Sequence, residues 1–235
     1  MVNSTHVDDI GISGPGAIQV PDVIPVFPLP ETVLLPGEVL PLHIFEARYR
    51  DMVRDALASH RVIGLVESLV GDPAEGFTSG AIRDVGCVGL IAQHEEMDDG
   101  RFLLWLLGLE RFHIEEELAA ETRYRQVRVS YTPIVESVGQ LAGIQPLRHE
   151  LRRLLPKLID ADGTAEEMLT AQMEDVGDSQ LIALACQILE LGSERKQQIL
   201  EAPTQVERFL MVYEDVYRHL ELYPDLEVVE PGQLN

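Results

Sequence analysis

Between Asp22 and Glu136 the apolar residues come in short, β-like runs separated by Gly, Pro or acidic turns. The pattern predicts strands over Val23–Phe27, Leu40–Phe45, Val62–Glu67, Gly86–His94, Phe102–Gly108, Phe112–Leu118 and Tyr124–Tyr131. In the last of these, arginine and valine alternate, as they do in a sheet with one wet face. Leu103, Leu104, Trp105, Leu106 and Leu107 are apolar at every position, which predicts a central strand with Trp105 in the core. Asp98-Asp99-Gly100 has the composition of a hairpin turn. Gly37 after Pro36 suits a type II turn, which needs positive φ at its third residue. One helix interrupts the strands. Tyr49, Met52, Val53, Ala56 and Leu57 fall at i, i+3, i+4, i+7 and i+8, so Glu46 to Ser59 reads as an amphipathic helix packed on the sheet. Seven strands with one helix predict a closed or nearly closed barrel, which leaves few free sheet edges.

After Val138 the strand pattern gives way to helical stripes. Leu147, Leu151, Leu154, Leu155 and Leu158 form one, in a helix that Pro156 should end or kink. Leu181, Leu184, Ala185, Ile188 and Leu189 form a second, with Asp178 or Ser179 as the N-cap. Val206, Phe209, Leu210, Tyr213, Tyr217 and Leu220 form a third, opened by Thr204-Gln205-Val206-Glu207, a capping-box pattern. Thr164 to Glu167 repeats that pattern. The predicted organisation is a flexible arm over residues 1–20, a β-rich barrel over 21–137, a helical subdomain over 138–223 and an acidic tail over 224–235. The class is α+β.

Charge narrows the functions this frame could carry. Eighteen basic residues face 40 acidic ones, for a net charge of −22, and only Lys157 and Lys196 are lysines. Nucleic-acid binding depends on cations that displace phosphate counterions, so this balance argues against a nucleic-acid partner. The basic spots at Arg123 to Arg128 and Arg148 to Arg153 read as solvated faces. No apolar run reaches the roughly 20 residues that span a bilayer, and Met1 to Gly16 has no secretory pattern, so no membrane partner is expected. Cys87 and Cys186 form no metal or redox motif and read as small buried hydrophobes of a reducing, cytoplasmic compartment.

The search for chemistry is negative. No phosphate-cradling loop precedes either lysine, no Gly-x-Ser-x-Gly elbow is present, and the seven histidines are scattered singly. The expectation is no catalytic residue, no metal and no cofactor.

Two stretches carry a family resemblance. Ile24-Pro25-Val26-Phe27-Pro28-Leu29-Pro30-Glu31-Thr32-Val33-Leu34-Leu35-Pro36-Gly37 continues into Glu38-Val39-Leu40-Pro41-Leu42-His43-Ile44-Phe45-Glu46-Ala47-Arg48-Tyr49, and resembles the opening signature of the Lon protease N-terminal, substrate-binding domain. Val85-Gly86-Cys87-Val88-Gly89, with Gly108-Leu109-Glu110-Arg111-Phe112-His113-Ile114, is similar to that family's later strand and hairpin. Arg195-Lys196-Gln197-Gln198-Ile199-Leu200-Glu201 and Glu207-Arg208-Phe209 resemble its helical half. The resemblance runs over about residues 22 to 220. It implies a PUA-like β-barrel (pseudobarrel) joined to a helical bundle, standing without ATPase or Ser–Lys peptidase domains. It also implies a non-catalytic protein- or peptide-binding module, an adaptor or regulator in protein quality control. Its partners would be unfolded or damaged protein segments or peptides, and a separate protease. Because PUA-like barrels elsewhere bind RNA, an RNA-binding protein is the alternative. Recognition is expected to use exposed apolar surface or strand addition at a sheet edge. The expected peptide-binding residues are Leu34, Leu35, Pro36, His43, Phe45, Arg48, Tyr49 and Arg111; for Leu34 and Leu35 packing competes with partner contact. A salt-bridge network among Glu46, Arg48, Glu110 and Arg111 across the barrel is expected as well.

Overall fold

The computed structural model describes residues 20–69, 80–119, 121–131, 138–159, 170, 171, 173 and 175–222. The expectations for the N-terminal arm, for Thr164 to Glu167 and for the acidic tail lie outside them. The chain divides into two units, Met1–Thr132 and Pro133–Asn235.

The first unit is built on six strands: β1 (Val23–Leu29), β2 (Val39–Ile44), β3 (Val62–Glu67), β4 (Val85–Glu96), β5 (Phe102–Glu117) and β6 (Gln126–Tyr131). Their order is β2-β5-β4-β3-β1-β6, and β5 also pairs with β6. Five strands, β5-β4-β3-β1-β6, therefore close a ring, and β2 is laid along the outer half of β5. All pairings are antiparallel except β1 with β3. The barrel and the α+β class follow the expectation. The single correction in strand count is that Phe102–Gly108 and Phe112–Leu118 are one strand. Glu110 and Arg111 stay in register with Val88 and Cys87, and β5 accommodates its change of partner through register shifts instead of a break.

The ring interior is aliphatic and aromatic: Ile24, Val26, Val62, Val66, Val88, Phe112, Val127 and Val129 form one buried cluster. β3 is buried at every position, as a strand covered on both faces must be. Helix α1 (Ala47–Leu57) buries Tyr49, Met52, Val53 and Ala56, four members of its predicted stripe, and lies against β1 and β3. The Phe27 and Tyr49 rings meet edge-on at 4.5 Å.

Trp105 departs from expectation. It is 38% exposed. Along β5, Phe102, Leu104 and Leu106 point inward, so Trp105 takes the opposite side of the pleat, where Leu107 is covered but the tryptophan stays partly open to solvent. The hairpin at Met97 to Arg101 and the turn at Leu35 to Glu38 form as predicted, with φ 78° at Gly100 and 82° at Gly37.

In the second unit, α2 (Val138–Ile159), α3 (Asp178–Ile188), α4 (Ser193–Glu201) and α5 (Gln205–Leu222) pack together, α5 touching each of the other three. Helix α2 runs on past Pro156 to Ile159 and contains Pro146 as well, so neither proline ends it. The N-cap of α3 is Gly177, whose N–H donates to Gln180 Oε1 at 3.3 Å. Asp178 sits one residue further in and is held by Arg148, which is why it does not cap. The α3 face that is buried is Leu181, Ile182, Ala183, Ala185 and Cys186. The Thr204–Glu207 capping box is made in both directions, Thr204 N–H to Glu207 Oε2 at 3.1 Å and Glu207 N–H to Thr204 Oγ1 at 3.2 Å.

Helix α5 buries Phe209, Val212, Val216 and Leu220, leaves Leu210 exposed and keeps Tyr213 and Tyr217 half-buried at the border. The apolar residues alone misplace this face, because Gln205, Arg208 and Asp215 belong to it.

Candidate functional site

A pocket of about 220 Å³ opens where the end of β1, the end of β2 and the start of α1 converge. Phe27, Pro28, Leu29 and Pro30 supply one wall, and Leu42, His43, Ile44, Phe45, Glu46 and Tyr49 supply the other. Two local features of the sequence make it. The prolines after Phe27 hold the chain extended, and Glu31 then turns it with φ 49°, a left-handed conformation unusual for glutamate. Phe45 lies between the last residue of β2 and Glu46, the N-cap of α1, so it belongs to neither element and projects 61% exposed.

The lining is mostly apolar, with three polar groups. His43 lies against the Phe45 ring, centroids 5.9 Å apart. Glu46 pairs with Arg48 at 2.7 Å, and the Arg48 guanidinium lies 4.5 Å over the Tyr49 ring. Burial pushes the Tyr49 phenol above its ordinary value; Arg48 pulls it down and Glu46 raises it again. Tyr49 is thus a neutral hydroxyl at physiological pH, able both to donate and to accept. Apolar walls with a few convergent polar atoms are the general make-up of ligand pockets.

Of the eight residues expected to bind peptide, His43, Phe45 and Tyr49 line this pocket, and Arg48 borders it through Glu46 and Tyr49. The other four lie elsewhere. Leu34 and Leu35 are only 1% and 2% exposed, so packing is their role here. Pro36 belongs to the turn clamped on β5: Gly37 N–H donates to Gly108 O, and Gly108 N–H to Glu38 O, both at 2.8 Å. A Cβ on Gly108 would come within 2.1 Å of Leu35 O, so only glycine allows that approach. Arg111 lies in β5 opposite Cys87. Of the expected network, Glu46 and Arg48 pair locally, while Glu110 and Arg111 sit in the middle of β5. The pocket walls that the sequence reading missed, Phe27 to Pro30 among them, had a signal in the repeated prolines; those residues read only as a structural brace.

The basic spots are neutralised. Arg125 holds Glu117 at 2.6 Å, Arg123 and Arg128 lie 3.6 and 3.7 Å from Asp51 and Glu116, and Arg153 holds Glu150 at 2.8 Å. Arg148 is engaged by Asp178, and Arg152 donates to Val176 O at 2.6 Å. Both cysteines are buried, and neither forms a disulfide. Among the described residues no cluster of His, Cys, Asp or Glu could hold a metal ion, and no helix is long and apolar enough to cross a membrane.

Residues 23–216 match the family model of the ATP-dependent protease La (LON) substrate-binding domain. The chain belongs to that family. It is 27% identical over 208 residues to a Lon protease of Dictyoglomus thermophilum and 29% identical over 221 residues to Lon protease 2 of Myxococcus xanthus. These matches take in 87% and 88% of the chain but 25% of each relative, so the LON chain spans about a quarter of their length. Its fold is that of the N-terminal domain of a Mycobacterium avium complex Lon protease, with a TM-score of 0.65 and 21% identity over 84% of this chain and 100% of that one. A Lon N-terminal domain protein from Xanthomonas campestris agrees with a TM-score of 0.57, also at 21% identity, over 82% and 97% of the two chains.

Proposed function

We propose that the chain is a non-catalytic module that binds unfolded or damaged polypeptide segments, acting as an adaptor or regulator in cytoplasmic protein quality control. The observation that carries this reading is the pocket at β1, β2 and α1, on the barrel of a LON substrate-binding family member, with Phe45 projecting at its mouth. Unfolded segments differ from folded surfaces chiefly in offering aromatic and aliphatic side chains, and an apolar pocket takes such a side chain out of water at about 25 cal/mol per Å² buried. No group of His, Cys, Asp or Glu that could hold a metal ion stands against the reading among the described residues. The arginines that an RNA-binding alternative would need are engaged by carboxylates.

Titration of a fluorescent, permanently unfolded protein against the full chain tests the proposal. Binding should saturate, and Phe45→Ala should weaken it about tenfold, the size of one well-buried aromatic contact. Absence of saturable binding, or hydrolysis of the probe by the pure chain, would overturn it.

A further inference from the structure

We infer that the pocket is one end of a longer recognition strip, and that the segments it takes carry a basic side chain beside their apolar ones. The inference rests on the proposed polypeptide-binding role and names the chemistry of what is bound. Six large apolar side chains are exposed among the described residues, and three of them, Val39, Phe45 and Trp105, lie on or beside β2. The register gathers them. Paired residues on neighbouring strands share a face of the sheet, as do residues two apart on one strand. Pro41 pairs with Trp105 and Trp105 with Gln93; His43 pairs with Leu103 and Leu103 with Glu95. Val39, Pro41 and His43 are exposed where Leu40 and Leu42 are half-buried and Ile44 is buried. On β2 the exposed positions thus run from Val39 through Pro41 to His43, with Trp105 beside Pro41 and the buried Leu107 beside Val39; the His43 ring lies 5.9 Å from that of Phe45 and so leads into the pocket. At about 3.4 Å per residue this strip is roughly 20 Å long, room for an extended segment of about six residues.

Two carboxylates border the strip. Glu95 shares a row with Leu103, and Glu31 follows Pro30 on the pocket wall. Neither has a hydrogen-bond or ion-pair partner among the described residues, whereas their neighbours do: Glu96 holds Arg54 at 2.9 Å, Asp99 holds Arg101 at 2.7 Å and Glu46 holds Arg48 at 2.7 Å. An apolar strip bordered toward its pocket end by two carboxylates that have no ion-pair partner among the described residues attracts lysine or arginine and repels aspartate or glutamate. The net charge of −22 acts in the same direction at long range. Geometry also selects how the segment lies. Pro41 has no N–H to offer an added strand, so the segment crosses the face of β2 and β5 instead of extending the sheet.

Trp105 is the single tryptophan, so its fluorescence reads the strip directly. The test titrates the full chain with three synthetic peptides that share Phe and Leu at alternate positions and differ only in the intervening residues: lysine, serine or glutamate. The lysine peptide should bind roughly tenfold tighter than the glutamate peptide at low salt, with serine between, and the gap should shrink as salt rises. Glu95→Lys with Glu31→Lys should remove or invert that order while the serine peptide binds as before. Equal binding of all three peptides overturns the inference and leaves the proposed function standing. Failure of all three to bind, while the unfolded protein still does, overturns it too. If neither peptides nor unfolded protein bind, both fall. Tighter binding of a single-stranded RNA than of the lysine peptide would also overturn it.

Discussion

Inside the barrel the buried cluster is aliphatic and aromatic, Ile24, Val26, Val62, Val66, Val88, Phe112, Val127 and Val129, whereas the buried face of α5 includes Gln205, Arg208 and Asp215. A ring of strands satisfies its own backbone groups, so nothing polar is needed inside it. Helices slide more easily against one another, and here side-chain bonds fix their register. Asp215 accepts from Arg195 of α4 at 2.7 and 3.2 Å and from Arg218 at 3.0 Å, and Arg208 Nη2 reaches Leu200 O at 3.0 Å. The β-rich unit buries single carboxylates, Glu38 held by its own turn and Glu67 by Arg83, whereas in the helical unit the buried polar groups tie one helix to another.

The difference can be broken at either end. The largest effect should come from Asp215→Ala, which leaves Arg195 only Gln198 Oε1 and the Met211 carbonyl and should cost about 3 kcal/mol in chemical denaturation followed by circular dichroism. A loss under about 1 kcal/mol would mean that the network is ornamental. Alkaline pH should act mainly on the β-rich unit. Burial, then the hydrogen bond to Asp55, raises the Tyr124 phenol well above its ordinary 10.0; burial, then Asp22, does the same to Tyr131, and burial leads the rise at Tyr49. A raised phenol keeps its proton in the folded state, so this contribution is intact below the unfolded value and is lost as pH climbs from there toward the folded values. Tyr213 gives the helical unit one such group. Trp105 fluorescence and tyrosinate absorbance should therefore change together above about pH 10.

Gly108→Ala should cost about 2 kcal/mol, because the added methyl meets the Leu35 carbonyl and must push the turn away from β5. Thr204→Ala, which removes half of a capping box, should cost about 1 kcal/mol. Phe45→Ala should change stability by less than about 0.5 kcal/mol, since the ring is exposed, while weakening polypeptide binding. A fold-wide loss from that substitution would mean that the pocket is structural.

The barrel was legible because its strands obey local rules. β3 and the α1 stripe appear in the sequence nearly as they stand, and Pro36-Gly37 states its own turn. Trp105 was not legible, since an apolar run in a central strand gives no hint that one face lacks a cover. The α5 face was misread for a related reason: Arg208 and Asp215 look like surface residues until their partners are known, and those partners lie on another element or in its last turn. Around the pocket, His43, Phe45 and Tyr49 and the adjoining Arg48 were singled out through the motif that carries them, and their role in binding is the proposal. Leu34 and Leu35, apolar at a turn, were ambiguous, because whether such residues pack or bind depends on a strand far along the chain.

Among the described residues the ring is sealed by β6, the last strand in chain order, which zips onto β1, the first. A nascent chain can form the β4–β5 hairpin early, since its halves are neighbours in sequence, yet it cannot complete the cylinder until Tyr131 has left the ribosome. Until then β1 and β3 expose apolar faces of the kind that misfolded proteins display, so during its own synthesis this chain passes through the condition that we propose it recognises in others.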